Sequence, residues 1–164
     1  MSNHEGHEDH EGLESIHAQA ARRATDSPQS SWFRMRLPSP LSPEAESLMT
    51  QTIGCAIAVH RALGPGFLES IYRKAMYIEL DAQHLAYETE RPIKVVYRSV
   101  EIPGQRVDLI VEGLIVVELK AVMRLDQVHR AQVISYLKTV GLRGGLLINF
   151  RAPTLRQGLR RIVV

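Results

Sequence analysis

The chain has 164 residues, 45% of them apolar and 23% charged, a usage that fits one globular domain with its own core and not a disordered or membrane-embedded chain. The single Cys55 excludes an internal disulfide framework and falls on what reads as an apolar helix face, where an inert buried thiol is the ordinary outcome. The net charge of +2 hides a division: residues 1–50 hold four Arg against eight acids, a net −4, which leaves +6 on the remainder. A basic body suits a polyanionic partner such as nucleic acid, although many proteins with this surplus bind none.

The opening MSNHEGHEDHEGLESIH is polar, acidic and His-rich, and SPQSSWFRMRLPSPLSP carries four of the eight prolines. Residues 1–43 are therefore expected to form a disordered leader, since little apolar surface is there to offset the entropy of ordering it. His4, His7 and His10 recur every third residue; such a tract can trap a transition metal, but a solvated tail is the commoner outcome. Trp32 and Phe33 are candidates to dock on the domain. No apolar run approaches the roughly 20 residues of a membrane helix, and the N-terminus lacks the basic-then-apolar order of a signal peptide. A soluble cytoplasmic protein without membrane contact is expected.

The folded domain is placed at residues 44–164. Ser42-Pro43-Glu44 supplies an N-cap, a proline at the first helical position and a first-turn acid. The apolar set Leu48, Ile53, Ala56, Ile57, Val59, Ala62 and Leu63 then follows helical spacing, and LGPG stops the helix. A second helix is predicted from about Phe67 to Gln83. From Pro92 the period falls toward two: PIKVVYR, QRVDLIVE, LIVVELK and later GGLLINF read as strands separated by IPGQ and EGL. Between the third and fourth, Asp126 to Thr139 reads as a helix with an Asp cap, and the closing LRRIVV as a short edge strand. The order helix, helix, three strands, helix, strand predicts an α/β domain, a central mixed sheet flanked by helices.

Three charges interrupt the apolar stretch VDLIVEGLIVVELKA. Glu118 and Lys120 share one face of their strand. Asp108 lies opposite Glu118 only if the connecting loop has an odd length, for which Glu112-Gly113-Leu114, with Gly113 free to adopt a positive φ, is the natural choice. Two carboxylates brought together repel, and one takes up a proton unless a cation intervenes. Lys120 offsets one charge and leaves room for a divalent ion, and oxygen ligands without Cys or His favour Mg²⁺ or Mn²⁺ over zinc. The bland alternative is an ordinary Asp108–Lys120 ion pair with Glu118 at the surface.

Asp108 followed by Glu118-Leu119-Lys120 resembles the signature of the PD-(D/E)XK nuclease superfamily. Gly66-Phe67-Leu68-Glu69-Ser70-Ile71-Tyr72, preceded by VHRALGP, resembles the GxxExxY pattern that names a bacterial branch of it. Gln132 to Tyr136 is similar to the QxxxY of exonuclease-like branches, and GLLINF is also typical of the GxxExxY proteins. The resemblance covers about residues 47–150, with Val107 standing where the superfamily often has proline. It implies a restriction-endonuclease-like αβββαβ core and a metal-dependent phosphodiester hydrolase acting on DNA. In that reading Asp108 and Glu118 bind Mg²⁺ or Mn²⁺ with the Leu119 carbonyl, and Lys120 orients or activates the attacking water.

Glu69 is by itself a first-turn acid stabilised by the helix dipole, worth roughly 0.3–1 kcal/mol; the resemblance raises it to a metal or water ligand. Tyr72, on the same face, serves core packing or supports Glu69. Gln132 and Tyr136 are one turn apart, and the resemblance implies that they border the site and meet the DNA backbone or Lys120. For His129, a half-exposed helix residue and a site role stand level. Arg124, Arg130, Lys138, Arg143, Arg151, Arg156, Arg160 and Arg161 can supply phosphate contacts, though isolated charges are usually a solvated face. The rival readings are a catalytically silent nucleic-acid-binding or structural module of the same fold, and a hydrolase of small phosphate esters. Homo-oligomerisation is compatible with the sequence.

Overall fold

The computed structural model describes residues 39–164. The His tract, Trp32, Phe33 and nearly all of the proposed leader lie outside the described residues.

Helix α1 spans Pro43–Leu63. Ser42 Oγ accepts the Ala45 N–H at 3.2 Å, and Pro43 opens the helix, as predicted. Gly64, with φ 64°, ends it by returning its N–H to the His60 carbonyl. Leu41, just ahead of the helix, packs into the core. Helix α2 spans Glu69–Ala82 and starts without a side-chain cap.

Strands β1 (Tyr87–Tyr97) and β2 (Val100–Val111) form a long hairpin. Its two-residue turn, Arg98-Ser99, has positive φ at both positions, the geometry whose twist matches a hairpin. Both strands begin five residues earlier than predicted, and IPGQ is a segment of β2 instead of a break. The register moves from Ile93↔Gln105 to Val95↔Ile102, leaving Pro103 and Gly104 opposite Lys94. A bulge of this kind is where a strand tolerates proline and glycine.

Strand β3 (Ile115–Lys120) follows a three-residue loop, helix α3 covers Gln127–Val140, β4 Gly144–Asn149, the short helix α4 Leu155–Gly158, and β5 Leu159–Val163. Sheet order is β1-β2-β3-β4-β5, antiparallel throughout except for the parallel β3–β4 pair that α3 connects as a crossover. Helices α1 and α2 bury Leu48, Met49 and Met76 against Leu109, Val117, Leu119 and Ile148. On the other face α3 buries Val133 and Leu137 against Ile110, Val116 and Leu147. This is the predicted mixed sheet between helices, a restriction-endonuclease-like architecture. Among the described residues no helix is long and apolar enough to cross a membrane.

Candidate functional site

The loop between β2 and β3 is Glu112-Gly113-Leu114, with φ of 49° and 65° at its first two residues. The register it sets pairs Leu109 with Val117 and Val111 with Ile115, which brings Asp108 level with Glu118, as the odd loop length required. The ladder ends at Leu109↔Val117. Asp108 fills the gap just beyond, where its Oδ2 accepts the Leu119 N–H at 2.9 Å. The side-chain alternation of β2 slips at this point: Val107 packs in the α3 layer, whereas Leu109 and Val111 pack under α1 and α2.

Glu118 is 2% exposed, and Lys120 Nζ donates to its Oε1 at 2.5 Å. The surface-Glu118 alternative is therefore overturned, since Lys120 pairs with Glu118 and Glu118 is interior. Burial, then the charge of Asp108, pushes the Glu118 carboxyl up to about 7 even though Lys120 pulls the other way. Burial presses the Lys120 ammonium down, but its bond to Glu118 and the charges of Glu118, Glu69 and Asp108 prevail and raise its pKa. Glu118 Oε2 is buried without any hydrogen-bond partner, which normally costs about 1–3 kcal/mol.

The end of β3 is clamped from β4. Asn149, itself buried, donates from Nδ2 to the Val122 carbonyl at 2.8 Å and accepts the Val122 N–H on Oδ1 at 3.1 Å. The Phe150 N–H reaches the Lys120 carbonyl at 2.9 Å. Gly158 makes room for this strand end, since a Cβ there would stand 2.2 Å from the Asn149 carbonyl oxygen.

Glu69 is the first residue of α2 and contributes to the field at both Glu118 and Lys120. Its nearest partner is one that sequence reasoning missed. Arg73 Nη2 lies 3.0 Å from Glu69 Oε1 and 3.2 Å from Asp108 Oδ1, and Nη1 lies 3.5 Å from Glu90 Oε1. The signal for Arg73 was an acid followed four residues later by a base on one helix face; Glu90, with φ 47° in mid-strand, gave none.

Tyr72 packs in the core. Its ring stacks on Phe150 with 4.7 Å between centroids. Its hydroxyl donates to the Gly64 carbonyl at 2.7 Å and accepts the Phe67 N–H at 3.1 Å, which fixes the GPG turn that leads into Glu69. Gln132 Nε2 donates to Tyr136 Oη at 2.6 Å, and Tyr136 donates in turn to Gln105 Oε1 at 2.8 Å. Neither reaches Lys120 by a hydrogen bond, but Tyr136 lies within the fields of Glu118 and Lys120. The trio borders a groove of about 640 Å³ between α3 and the hairpin, also lined by Ile93, Val95 and Val128. His129 is a capping residue: its Nδ1 accepts the Asp126 N–H at 3.1 Å, closing a box with the Asp126 side chain.

Among the described residues no three His, Cys, Asp or Glu side chains stand close enough together to enclose an ion. The donor set nonetheless fits a hard divalent ion that keeps several waters and takes one or two carboxylates from the protein. Glu118 Oε2 is unpartnered, Asp108 is adjacent, and the four carboxylates Glu69, Glu90, Asp108 and Glu118 outnumber Arg73 and Lys120 by a formal charge of two. The Leu119 carbonyl lies on the same strand edge as the N–H that meets Asp108.

Comparison with curated proteins and with solved structures returned no match. A family model described as the PD-(D/E)XK nuclease superfamily, whose enzymes generally use divalent ions such as Mg²⁺, matches residues 46–162. That span runs from the first turn of α1 to the end of β5, missing only three residues of the one and one of the other, and with the mixed sheet and the carboxylate–lysine cluster at the β2–β3 ends it shows that the chain belongs to the PD-(D/E)XK nuclease superfamily.

Proposed function

We propose that this protein is a divalent-ion-dependent nuclease of the GxxExxY branch and that its substrate is DNA. The observation that carries the reading is the interior Glu118 beside Asp108, with one oxygen held by Lys120 and the other unpartnered. Such a carboxylate adds little to stability, because replacing a buried ion pair with well-packed apolar residues is often neutral or stabilising.

Asp108, Glu118 and the Leu119 carbonyl would hold Mg²⁺ or Mn²⁺, and Glu69, which shares Arg73 with Asp108, would join them as a ligand of the ion or of its water. Bound there, the ion would lower the pKa of a water and withdraw charge from the scissile phosphate. Lys120 keeps its ammonium and offers a hydrogen-bond donor and point charge beside that water. Glu118 fixes the direction of the ammonium through its Oε1, and the Asn149 clamp fixes the strand end that carries it. The Tyr72 hydroxyl holds the turn that aims Glu69. Gln132 and Tyr136 line the α3 side, where an amide and a phenol can meet the nucleic-acid backbone. The +6 charge of residues 51–164 favours a polyanion, with affinity that falls as salt rises.

The test is cleavage of labelled single- and double-stranded DNA, and of RNA, by the purified protein in Mg²⁺, Mn²⁺ or EDTA beside Lys120→Ala. Ion-dependent cleavage of DNA that disappears in the variant is expected. Salt-sensitive binding without cleavage by either protein would instead make this a silent binding module.

A further inference from the structure

Arg73 is anchored as a site component would be. One guanidinium reaches three carboxylates on three elements: Glu69 on α2, Asp108 on β2 and Glu90 on β1. Its side chain is 23% exposed and its Nε is buried with no partner. Arginine–carboxylate pairs are frequently two-point contacts of the planar fork with one carboxylate. Here single nitrogens are spread over three acids and one donor goes unused. Glu90 adopts a left-handed backbone, φ 47°, a conformation that costs a non-glycine residue about 1 kcal/mol or more.

The two oxygens of Asp108 are divided between partners. Oδ2 is tied to the Leu119 N–H at 2.9 Å, while Oδ1 is held by Arg73 Nη2 at 3.2 Å. An ion that used Asp108 without breaking the strand contact would approach Oδ1. The same Nη2 holds Glu69 Oε1 at 3.0 Å. A cation therefore already bridges Glu69 and Asp108, two of the carboxylates assigned above to the ion.

We infer that Arg73 is a built-in competitor of the divalent ion: its guanidinium bridges Glu69 and Asp108 and must release Asp108 Oδ1 before the ion can bind there. The inference rests on reading Asp108 and Glu118 as ion ligands. Arg73 holds mutually repelling carboxylates together and sets the ion concentration at which the site assembles. Glu90 gives the guanidinium a carboxylate outside the ion site to retain once Asp108 is released. Arg73 is thus a positioning residue, acting through Asp108 and Glu69.

The experiment is calorimetric titration of Mn²⁺ into EDTA-treated, dialysed full-length protein, comparing wild type with Arg73→Met and Arg73→Lys. Arg73→Met is expected to bind Mn²⁺ up to about fivefold more tightly, the scale of one charge contact. Arg73→Lys, whose shorter point charge cannot span both acids, should fall between the two. A residue that merely braces the site would give the opposite sign, because its loss would scatter the ligands and weaken binding. Equal or weaker binding in Arg73→Met overturns the inference. If that variant does not fold, Arg73→Lys decides alone: tighter than wild type supports competition, and equal or weaker overturns it. No binding by any of the three removes the ion site and the inference together. Ion-dependent DNA cleavage by wild type without tightening in the variants removes only the inference.

Discussion

Strand β2 passes through two environments. From Val107 to Val111 its apolar side chains are fully buried, whereas Val100 is 63% exposed and Ile102 48% exposed on the distal hairpin. The residue types are the same at both ends, so β-branched chemistry alone does not decide burial. What differs is the neighbours. Near the loop, β3 pairs with β2 and helices cover both faces; farther out β2 has only β1 beside it, and a two-stranded ribbon is marginal on its own. Asp108 sits at the seam. A buried charge needs rigid partners to offset its desolvation, a substrate needs access, and the point where a covered sheet becomes an open ribbon provides both.

The comparison breaks most completely if the charges at the seam do not matter. Lys120→Ala is expected to lower cleavage by roughly 10²- to 10³-fold, the loss typical of one preorganised donor to developing charge, with little change in fold by circular dichroism. Lys120→Arg should not restore activity, because the planar fork cannot occupy the place of an ammonium that stands 2.5 Å from Glu118 Oε1. Activity within a factor of two or three of wild type in either variant would remove Lys120 from the chemistry.

Next in size is a direct contrast along β2. Leu109→Ala, at a position with no exposure, should cost about 2–5 kcal/mol, while Ile102→Ala on the open ribbon should cost under about 1 kcal/mol. Urea midpoints of the two variants measure the difference. Similar losses would mean that the ribbon is covered in solution, for instance by a second copy of the chain.

The Glu118 carboxyl supplies a smaller effect with a definite sign. Buried under the influence of Asp108 and Glu69 and only partly offset by Lys120, it has a pKa near 7 in the fold against 4.5 for its unperturbed value. Between those two pH values the folded state holds more protons than the unfolded chain, so its contribution to stability falls as pH rises. In EDTA, wild-type stability should therefore decline from about pH 5 to pH 8 by at most about 3 kcal/mol relative to Glu118→Gln, in which that slope is absent. A slope that persists in Glu118→Gln would assign the titration to another group.

Much of this was legible in the sequence where local rules coincide with tertiary outcome. Strand alternation put Glu118 and Lys120 together, loop parity put Asp108 level with them, and Ser42-Pro43 and Asp126 marked helix starts that hold in the structure. What escaped depends on contacts between distant elements. Arg73 can be recognised as a partner of Glu69 from spacing alone, but not as a bridge to Asp108, which requires α2 to pack on the sheet within reach of that residue. The early starts of β1 and β2 were hidden because Glu88, Glu90 and Arg91 carry the polarity of a loop and Pro103-Gly104 the signature of a break, although both belong to the ribbon. Asn149 is the one polar side chain of GGLLINF, and its role appears only once Val122 folds back against it.

The finest test lies within the covered end, at Tyr72. Its ring is wholly buried and stacked on Phe150, so Tyr72→Phe preserves packing and deletes only the hydroxyl. That hydroxyl satisfies the Gly64 carbonyl and the Phe67 N–H, two backbone groups flanking a turn where Gly66 has φ 128°. With both groups free to reach water on a half-exposed loop, the stability loss should be about 1 kcal/mol, the net worth of a typical hydrogen bond. The loosened turn leads straight into Glu69, so cleavage should fall a few-fold while DNA binding holds. A loss of activity without the small loss of stability would make the phenol a group that touches the reacting atoms. A loss of stability alone would show that Glu69 is positioned by Arg73 and the helix, with the turn serving only to deliver the chain.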